Sequence, residues 1–361
     1  MKEKEVLVKM AEEQLKIIEG LKKITQNINL SMLEAEDIMR EIMSGKVQDV
    51  QLGAFLTALS MKGETIEEIT GFARIMREFA NRINPKVAGD LLDTCGTGGD
   101  KIKTFNISTI SALVLTGAGI PVAKHGNRAV TSKCGSADLL EGLGVKIDLS
   151  PEEVQKCIEK VGIGFMFAPL FHPAMKYAMP TRRALKLRTV FNILGPLTNP
   201  ANARCHVLGV FQKDLASVMA KVLNGLEAKY VYTVHNSCGI DEVAPVGINY
   251  INELNNGRID SYALTNQDFG IPDCTINDLL AGNLEENLKI AVNILKNNIK
   301  GSKYNTVLMN AALALKSVNK AADIKEGIEI AKNVIESGRA FEKLKQFIEV
   351  SGGNLDKLMS I

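Results

Sequence analysis

The chain has 361 residues, of which 46% are hydrophobic and 23% charged, as in globular proteins that bury a sizeable core, and its length favours two domains. Lys and Arg outnumber Asp and Glu by only 43 to 41 and there is no Trp, so neither a strong positive field nor stacking side chains favour nucleic-acid binding. No apolar run approaches the length of a membrane span, and the N-terminus lacks the apolar core of a signal peptide, so we expect a cytoplasmic protein without a membrane contact. The six cysteines form no CxxC pair, so we expect them to be reduced and to form neither a zinc cluster nor a disulfide framework.

The first 84 residues predict helices only. Capping boxes at Ser31-x-x-Glu34 and Thr65-x-x-Glu68 start two of these helices, and Val50–Lys62 predicts another between them. Apolar residues of Val50–Lys62 recur at i, i+3, i+4 and i+7, so one face of that helix is expected to be buried. The last helix is expected to run to about Arg82, and Asn84-Pro85 stops it. The sequence therefore predicts a small all-α domain over residues 1–84.

From Ala88 onward, predicted strands alternate with predicted helices, which favours a mostly parallel sheet flanked by helices. A first strand is expected to end at Leu91-Leu92, and those that follow it lie at Ile120–Ala123, Ile163–Ala168, His206–Val210, Tyr230–Val234, Tyr250–Leu254 and Ile259–Leu264. Asn256-Gly257 between the last two is a strong hairpin signal. The predicted fold class is α/β, with a smaller all-α N-terminal domain and an α/β domain over residues 85–170 and 201–361.

The stretch LLDTCGTGGDKIKTFNIST, residues 91–109, combines a strand, a glycine-rich turn and a helix start. Glycines 96, 98 and 99 let the backbone turn sharply and approach a ligand, and a helix N-terminus attracts anions. Lys101 replaces the third glycine of the dinucleotide fingerprint, and the Gly-Lys-Ser/Thr ending of a Walker loop is absent. The stretch therefore favours phosphate binding other than that of NAD or ATP, although an ordinary turn between strand and helix would share these features.

A second polar cluster, residues 123–138, follows the next predicted strand. It supplies cations at Lys124, Arg128 and Lys133, together with hydroxyl groups at positions 131, 132 and 136. Ligands of doubly wound sheets bind at the carboxyl ends of the strands, where this cluster lies. A solvated loop would have a similar composition, but two such loops on adjacent strands favour a binding site.

An adjacent acidic pair, Asp241-Glu242, follows the predicted strand Tyr230–Val234 and a tight turn. Two neighbouring carboxylates suit a hard, oxygen-seeking cation such as Mg²⁺. Taken alone, such a pair is more often a solvated turn, and the sequence leaves both interpretations open at this point.

Three blocks of sequence carry a resemblance to a known family. GTGGD with FNIST, KHGNR with GSADLLEGLG, and HPAMKYAMPTRR with RTVFNILGPLTNP resemble the anthranilate phosphoribosyltransferases, which share their fold with the pyrimidine nucleoside phosphorylases. The similarity extends from about Leu30 to the final helix. It implies transfer of the phosphoribosyl group of phosphoribosyl pyrophosphate (PRPP) to the amine of anthranilate, the second step of tryptophan biosynthesis from chorismate. It also implies that residues 171–200 join the helical domain and that a homodimer forms through that domain.

The resemblance further implies specific ligands. The residues implied to bind PRPP are Gly96, Gly99, Asp100, Thr104, Asn106, Ser108, Thr109, Lys124, Ser132 and Ser136. Those implied to bind anthranilate are Gly96, His125, Asn127 and Arg182, with Arg182 expected to meet its carboxylate. Two Mg²⁺ ions per subunit are implied, with Ser108, Asp241 and Glu242 as ligands. His125 is a candidate general base, but the amine of anthranilate is already neutral near pH 7 and needs little activation.

Some positions depart from the family pattern. Lys186 stands where the family usually has Gly, and the glycine that usually follows His235 is replaced by Asn236. Neither departure removes an implied ligand. Two alternatives stay open: a pyrimidine nucleoside phosphorylase of the same superfamily, and a catalytically silent homologue that binds nucleic acid. His172, His206 and His235 share no spacing and are expected to be structural.

Overall fold

The computed structural model describes residues 15–98, 102–129 and 133–361. The described chain divides into two compact units. One, the helical unit, comprises the described residues up to Ala80 together with His172–Thr198, and the other, the α/β unit, comprises Asn81–Phe171 and Asn199–Ile361.

The helical unit is built from amphipathic helices with defined caps. Its helices are α1 (Lys16–Ile24), α2 (Met32–Met43), α3 (Asp49–Lys62) and α4 (Ile66–Glu78), followed later in the chain by α9 (Met179–Leu185) and α10 (Phe191–Leu194). Ser31 and Thr65 each accept a hydrogen bond from the backbone N–H of the glutamate three residues on, so both predicted capping boxes are confirmed. The predicted end of the last helix near Arg82 is wrong, since α4 stops at Glu78.

The α/β unit alternates strands and helices along the chain. Its strands are β1 (Leu92–Gly96), β2 (Val122–Gly126), β3 (Ile163–Phe167), β4 (Cys205–Gly209), β5 (Tyr230–Asn236), β6 (Asn249–Asn255) and β7 (Arg258–Leu264). The helices up to residue 225 are α5 (Ile107–Gly117), α6 (Ser136–Gly142), α7 (Pro151–Val161), α8 (Ala168–Phe171) and α11 (Lys213–Gly225). The C-terminal helices are α12 (Leu284–Leu295), α13 (Ser302–Ser317), α14 (Ile324–Glu336), α15 (Arg339–Ser351) and α16 (Leu355–Met359).

In the described part of the chain the strands form one seven-stranded sheet in the order β3-β2-β1-β4-β5-β6-β7. β1 to β5 are parallel, and β6 and β7 add an antiparallel edge. The chain runs outward from β1 to β3 and then restarts on the other side of β1 at β4. The predicted mostly parallel α/β sheet with an all-α N-terminal part is confirmed, and the reversal between β1 and β4 creates a topological switch point.

The predicted limits of the first strand differ from the structure. Leu92 begins β1 rather than ending a strand, because the apolar run continues into Asp93-Thr94-Cys95, whose side chains are also buried. The hairpin prediction is confirmed, since β6 and β7 are joined by Asn256 and Gly257 with φ values of 46° and 90°. No helix among the described residues combines the length and the apolar character that crossing a membrane requires.

Lys186 lies just after α9 with φ 52° and ψ 24°, in the left-handed region. This is the C-terminal capping position at which glycine is favoured, because a Cβ crowds the following carbonyl oxygen there. The structure therefore gives a physical reason for the glycine that the family pattern has at this position.

We expect Lys186→Gly to raise the free energy of unfolding by about 1 kcal/mol, because it removes left-handed strain from a non-glycine residue. Urea unfolding of both proteins measures the change. Lys22→Gly is the matched control, since Lys22 is an exposed lysine within α1 and the same substitution there should destabilise the protein. A loss of stability in Lys186→Gly would contradict the strain argument.

The helical unit contains a buried ion pair between Lys62 and Glu68, whose side chains are 3% and 0% exposed. Nζ of Lys62 donates to Oε2 of Glu68 at 3.0 Å, and the other oxygen of Glu68 accepts from the backbone N–H of Leu30 at 2.8 Å. The pair thus joins the start of α2 to the end of α3 and the start of α4.

We expect Glu68→Ala to destabilise the protein by about 3–5 kcal/mol, because it leaves a buried lysine without its counter-charge. Thermal or urea unfolding measures the change. Glu78→Ala serves as the control, since Glu78 pairs with Arg40 on the surface and its loss should cost less than about 1 kcal/mol. Equal effects of the two substitutions would contradict the assignment of Lys62–Glu68 as the stabilising pair.

Candidate active site

Two glycines mark the switch point of the sheet. Gly96 ends β1, Gly209 ends β4, and the two are partners in the parallel ladder. The backbone of Asp241 lies so close to Gly209 that a Cβ there would overlap the Asp241 carbonyl group, and a Cβ on Gly96 would lie 2.7 Å from Oδ2 of Asp241. The missing Cβ at Gly209 lets the backbone of Asp241 lie directly over the carboxyl end of β4, and the missing Cβ at Gly96 leaves room for its carboxylate.

The glycine-rich turn after β1 contacts the same carboxylate. The backbone N–H of Gly98, which has φ +66°, donates to Oδ2 of Asp241 at 3.2 Å. Thr97 ties the turn to β4, since its N–H donates to Gly209 at 2.9 Å and its hydroxyl accepts from Phe211 N–H at 3.1 Å. Burial raises the pKa of Asp241, because desolvation disfavours its anion, although the Gly98 hydrogen bond opposes this shift.

Lys124 provides a buried cation beside the turn. It extends from β2 with 2% of its surface exposed, and its Nζ donates to the Thr94 carbonyl at 2.5 Å and to Oγ of Ser108 at 3.3 Å. Ser108 lies in the first turn of α5, where backbone N–H groups and the helix dipole favour anions. Burial lowers the pKa of Lys124, whereas the negative charges of Asp93 and Glu242 oppose that shift.

The buried carboxylate of Asp93 in β1 interacts electrostatically with this cation. Oδ2 of Asp93 accepts from Nδ2 of Asn199 at 2.7 Å, and the same Asn199 nitrogen donates to the Ala123 carbonyl at 2.8 Å. Burial raises the pKa of Asp93, and the charge of Lys124 opposes this. Asp93 and Asn199 thus tie β1 to β2 directly below the glycine-rich turn.

The polar loop after β2 is held by hydrogen bonds and ion pairs. Nδ2 of Asn106, the residue that precedes α5, donates to the Cys134 carbonyl at 3.0 Å and so connects the two loops. Asp138 accepts from the backbone N–H groups of Ala129 and Gly135, both at 2.9 Å. Arg128 was predicted to supply positive charge to a binding site in this loop, but it pairs with Asp138 and Glu141. The structure therefore leaves Lys124, and not Arg128, as the cation aimed at Ser108.

The remaining predicted residues of the α/β unit are placed as follows. His125 is buried in β2, and Asn127 follows β2, with its carbonyl accepting from Ser136 Oγ at 3.4 Å. The backbone of Thr104 forms an isolated antiparallel β-bridge with that of Leu280, and Thr109 is buried in α5. The predictions for Gly99, Asp100 and Ser132 lie outside the described residues.

The three other histidines are buried or hydrogen-bonded in ways that fit structural roles. His206 is fully buried and its Nε2 lies 2.8 Å from the Ala203 carbonyl, and Nδ1 of His235 lies 2.8 Å from the Val210 carbonyl. Burial lowers the pKa of His172 to about 4.

The acidic pair has the donor chemistry of a Mg²⁺ site. Asp241 and Glu242 offer adjacent carboxylates, and a divalent cation would offset the desolvation penalty on buried Asp241. Among the described residues no group of three or more His, Cys, Asp or Glu side chains forms a metal cluster. A Mg²⁺ ion held here would therefore take further ligands from water or from a bound substrate, as Mg²⁺ commonly does.

Arg182 belongs to the helical unit. It lies in α9, with its guanidinium 5.3 Å from the centroid of the Phe191 ring. Burial lowers the pKa of Arg182, and within the described ranges no carboxylate lies within 4.0 Å of it. A partly buried cation of this kind is suited to an anionic ligand, unlike an arginine on a solvated helix surface.

Sequence reasoning missed three residues that shape the site: Asp93, Asn199 and Gly209. A carboxylate inside an apolar strand was a usable signal for Asp93, since buried charges are rare without a partner. Asn199 and Gly209 gave no local signal, because their roles depend on which strands are neighbours in the sheet.

Comparison with known proteins identifies the family. The α/β domain model described as "Glycosyl transferase family, a/b domain" matches residues 88–341, and the "helical bundle domain" model of the same family matches residues 18–80. The anthranilate phosphoribosyltransferase of Persephonella marina is 48% identical over 337 residues, which cover 93% of this chain and 99% of the relative.

Solved structures show the same similarity. Anthranilate phosphoribosyltransferase from Thermus thermophilus superposes with a TM-score of 0.87 at 41% identity, covering 92% of this chain and 99% of that one. The Saccharomyces cerevisiae protein, solved in complex with PRPP and Mg, gives 0.86 at 28% identity and covers 93% and 98% of the two chains. The fold, the two matched domain models and the near-complete coverage at this identity agree, and the chain belongs to the anthranilate phosphoribosyltransferase family.

Proposed function

We propose that the chain transfers the phosphoribosyl group of PRPP to the amine of anthranilate, giving N-(5-phosphoribosyl)anthranilate and pyrophosphate. One observation carries the proposal: Asp241 of the acidic pair lies over the carboxyl ends of β1 and β4, at the switch point, and contacts the glycine-rich turn, while the buried Lys124 lies against Ser108. The relatives that share this chain's length and 48% of its sequence are named for this reaction.

The phosphate-binding part of the proposal involves the turn after β1, the start of α5 and the loop after β2. These elements carry the residues that we propose to bind PRPP, namely Gly96, Gly99, Asp100, Thr104, Asn106, Ser108, Thr109, Lys124, Ser132 and Ser136. Lys124 supports this assignment, because its ammonium group is held against Ser108 at the N-terminus of α5. A fixed cation and backbone N–H groups at one place stabilise phosphate oxygens without reorganisation.

We propose that Asp241 and Glu242 hold one Mg²⁺ ion and that Ser108 contributes to a second. The adjacent carboxylates would otherwise repel the several negative charges of PRPP, and the Saccharomyces cerevisiae relative was solved with PRPP and Mg. When bound, Mg²⁺ neutralises charge on the pyrophosphate group. The Gly98 N–H and the burial of Asp241 keep the carboxylate of that residue in one place, so that it need not reorganise on binding.

For the second substrate, we propose contacts from Gly96, His125, Asn127 and Arg182. Arg182 would meet the carboxylate of anthranilate, since its guanidinium is partly desolvated and a carboxylate ligand matches its geometry. The Saccharomyces cerevisiae relative has also been solved with 4-fluoroanthranilate, which carries the same carboxylate and amine. We assign no residue as an obligatory general base, because the attacking amine is already neutral near pH 7.

In the proposed reaction the C1–O bond breaks while C1 gains oxocarbenium character, and pyrophosphate leaves with the electron pair of that bond. The amine forms the N–C1 bond from the opposite face with inversion, and the nitrogen then loses one proton to water. Lys124 and the N-terminus of α5 bind the departing phosphates, and Arg182 orients the acceptor. Most of the rate enhancement then comes from positioning and electrostatic stabilisation.

We also propose that the chain forms a homodimer through its helical unit. That unit exposes large apolar side chains, including Leu33, Val50 and Met61, which are 71%, 75% and 84% exposed. Sedimentation of the wild type beside a variant with these three residues changed to Ser tests the proposal. A monomeric wild type would contradict it.

The direct test of the activity is the loss of anthranilate fluorescence on addition of PRPP and Mg²⁺. The proposal requires that both additions be necessary. A chain that leaves anthranilate unchanged but cleaves pyrimidine nucleosides with inorganic phosphate would instead be a nucleoside phosphorylase.

Arg182→Ala is expected to raise the KM for anthranilate about 10- to 100-fold, because a charge-assisted hydrogen bond contributes roughly 1.5–3 kcal/mol. The KM for PRPP should change much less. Arg183→Ala is the matched control, since Arg183 is the exposed neighbour on the same helix. Steady-state kinetics with each substrate varied in turn measures both values, and an unchanged KM for anthranilate would remove Arg182 from the site.

Replacing both Asp241 and Glu242 with Ala is expected to slow turnover by about two to three orders of magnitude, the scale for losing one preorganised electrostatic partner. The reaction order of kcat with respect to Mg²⁺ concentration should also fall. The adjacent exposed pair Glu285 and Glu286, at the start of α12, changed to Ala in the same way, controls for lost charge. The test measures turnover over a series of Mg²⁺ concentrations. If the folded Asp241→Ala/Glu242→Ala protein gave the same curve as the wild type, the metal assignment would be excluded.

A further inference from the structure

The acidic pair lies in a segment that has no helix or strand to fix it. Residues 240–246 follow β5 and precede β6 without regular secondary structure, yet five of the seven are buried. Buried backbone N–H and C=O groups need hydrogen-bond partners, and in an irregular segment the partners must come from elsewhere. In this protein three buried asparagines provide many of them.

Asn310, on α13, binds the residue that follows the acidic pair. Its Oδ1 accepts from the Val243 N–H at 3.1 Å, and its Nδ2 donates to the Val243 carbonyl at 2.8 Å. Asn310 is only 3% exposed, and its Nδ2 also donates to the Thr306 carbonyl within its own helix at 2.8 Å. The side-chain amide of Asn310 is thus oriented by α13 and hydrogen-bonds both the backbone N–H and the carbonyl of Val243.

Asn249, the first residue of β6, binds the next residue in the same manner. Its Oδ1 accepts from the Ala244 N–H at 2.9 Å, and its Nδ2 donates to the Ala244 carbonyl at 3.0 Å. Asn249 is fully buried. Two consecutive residues, Val243 and Ala244, are therefore held by two amides that come from different elements of the fold.

Asn236, the last residue of β5, completes the set from the other side. Its Nδ2 donates to Oδ1 of Asn249 and to the Val246 carbonyl, both at 2.8 Å, and its backbone N–H donates to the Ile240 carbonyl at 3.0 Å. Asp241 and Glu242 consequently lie between two anchored residues, Ile240 and Val243.

We propose that Asn236, Asn249 and Asn310 are positioning residues that set the carboxylates of Asp241 and Glu242 for Mg²⁺ binding. The inference rests on the proposed function, since it assigns a role to residues that support the proposed metal ligands. Side-chain amides suit this role because each both donates and accepts, and can therefore fix a peptide segment from one side. Residues that orient metal ligands typically change metal affinity or activity about 10- to 100-fold when they are replaced.

The test compares Asn310→Ala with Asn287→Ala. Asn287 is a matched control because it is equally buried, at 3% exposure, and its Nδ2 donates to a backbone carbonyl at 2.9 Å within the region of α12. Mn²⁺ serves as the probe, and electron paramagnetic resonance of free Mn²⁺ gives its dissociation constant in the presence of pyrophosphate. We expect Asn310→Ala to weaken Mn²⁺ binding about 10- to 100-fold and to raise the Mg²⁺ concentration needed for half-maximal turnover, with Asn287→Ala resembling the wild type.

Two further variants keep the outcome decisive. Asn310→Ser puts a hydroxyl group in place of the amide and so keeps a polar side chain, and it replaces Asn310→Ala if the latter does not fold. Asn249→Ala tests the second amide. Hydrogen exchange at the Val243 and Ala244 amides shows whether the segment has been released. Released amides with wild-type Mn²⁺ affinity in a folded variant would overturn the positioning role and reduce the asparagines to structural residues.

The Asp241→Ala/Glu242→Ala protein separates this inference from the function on which it rests. If it loses Mn²⁺ while the asparagine variants keep wild-type affinity, the positioning role alone is overturned. If it too retains Mn²⁺, the metal assignment fails and the inference fails with it.

Discussion

The close approach of Asp241 to Gly96 and Gly209 is the constraint on which the candidate site depends. The two glycines are ladder partners at the carboxyl ends of β1 and β4, where the direction of strand addition reverses. A crevice forms at such a point because the connections from the two strands diverge. In this protein the crevice is occupied by Asp241, whose backbone lies where a Cβ on Gly209 would be and whose carboxylate lies against Gly96. The carboxylate thereby contacts the glycine-rich turn.

Around this contact the protein buries several charges in one small region. Asp93, Lys124 and Asp241 all come within a few residues of a strand end, and all are less than a tenth exposed. Buried charges oppose folding unless they are paired and hydrogen-bonded. Asn199 and the Thr94 carbonyl provide hydrogen bonds to the first two, and the Gly98 N–H provides one to the third. A site that holds its charges desolvated before the substrate arrives can act on developing charge without first displacing water.

Much of the fold could be predicted from local sequence, because the signals are local. Capping boxes, the Asn-Gly hairpin and the strand–helix alternation each depend on a few consecutive residues, and the structure confirms them. Strand limits were less accurate, since Asp93 and Lys124 extend β1 and β2 with charged residues that strand propensity disfavours. Gly209, Asn199 and Asn310 could not be found in this way. Their roles follow from strand order and helix packing, which bring together residues far apart in the chain.

The same distinction explains why the acidic pair was ambiguous in the sequence. A solvated turn and a metal site can both contain the sequence Asp-Glu, and the two differ in what surrounds the backbone. A solvated turn would leave its peptide groups to water, whereas those of Val243, Ala244 and Val246 are bound by buried asparagines from β5, β6 and α13. A surface turn has no need of such anchoring, since exposed carboxylates contribute little to stability. An irregular segment fixed from three elements of the fold is instead what a preorganised ligand pair requires, and this favours the metal-site interpretation on grounds that do not depend on family resemblance.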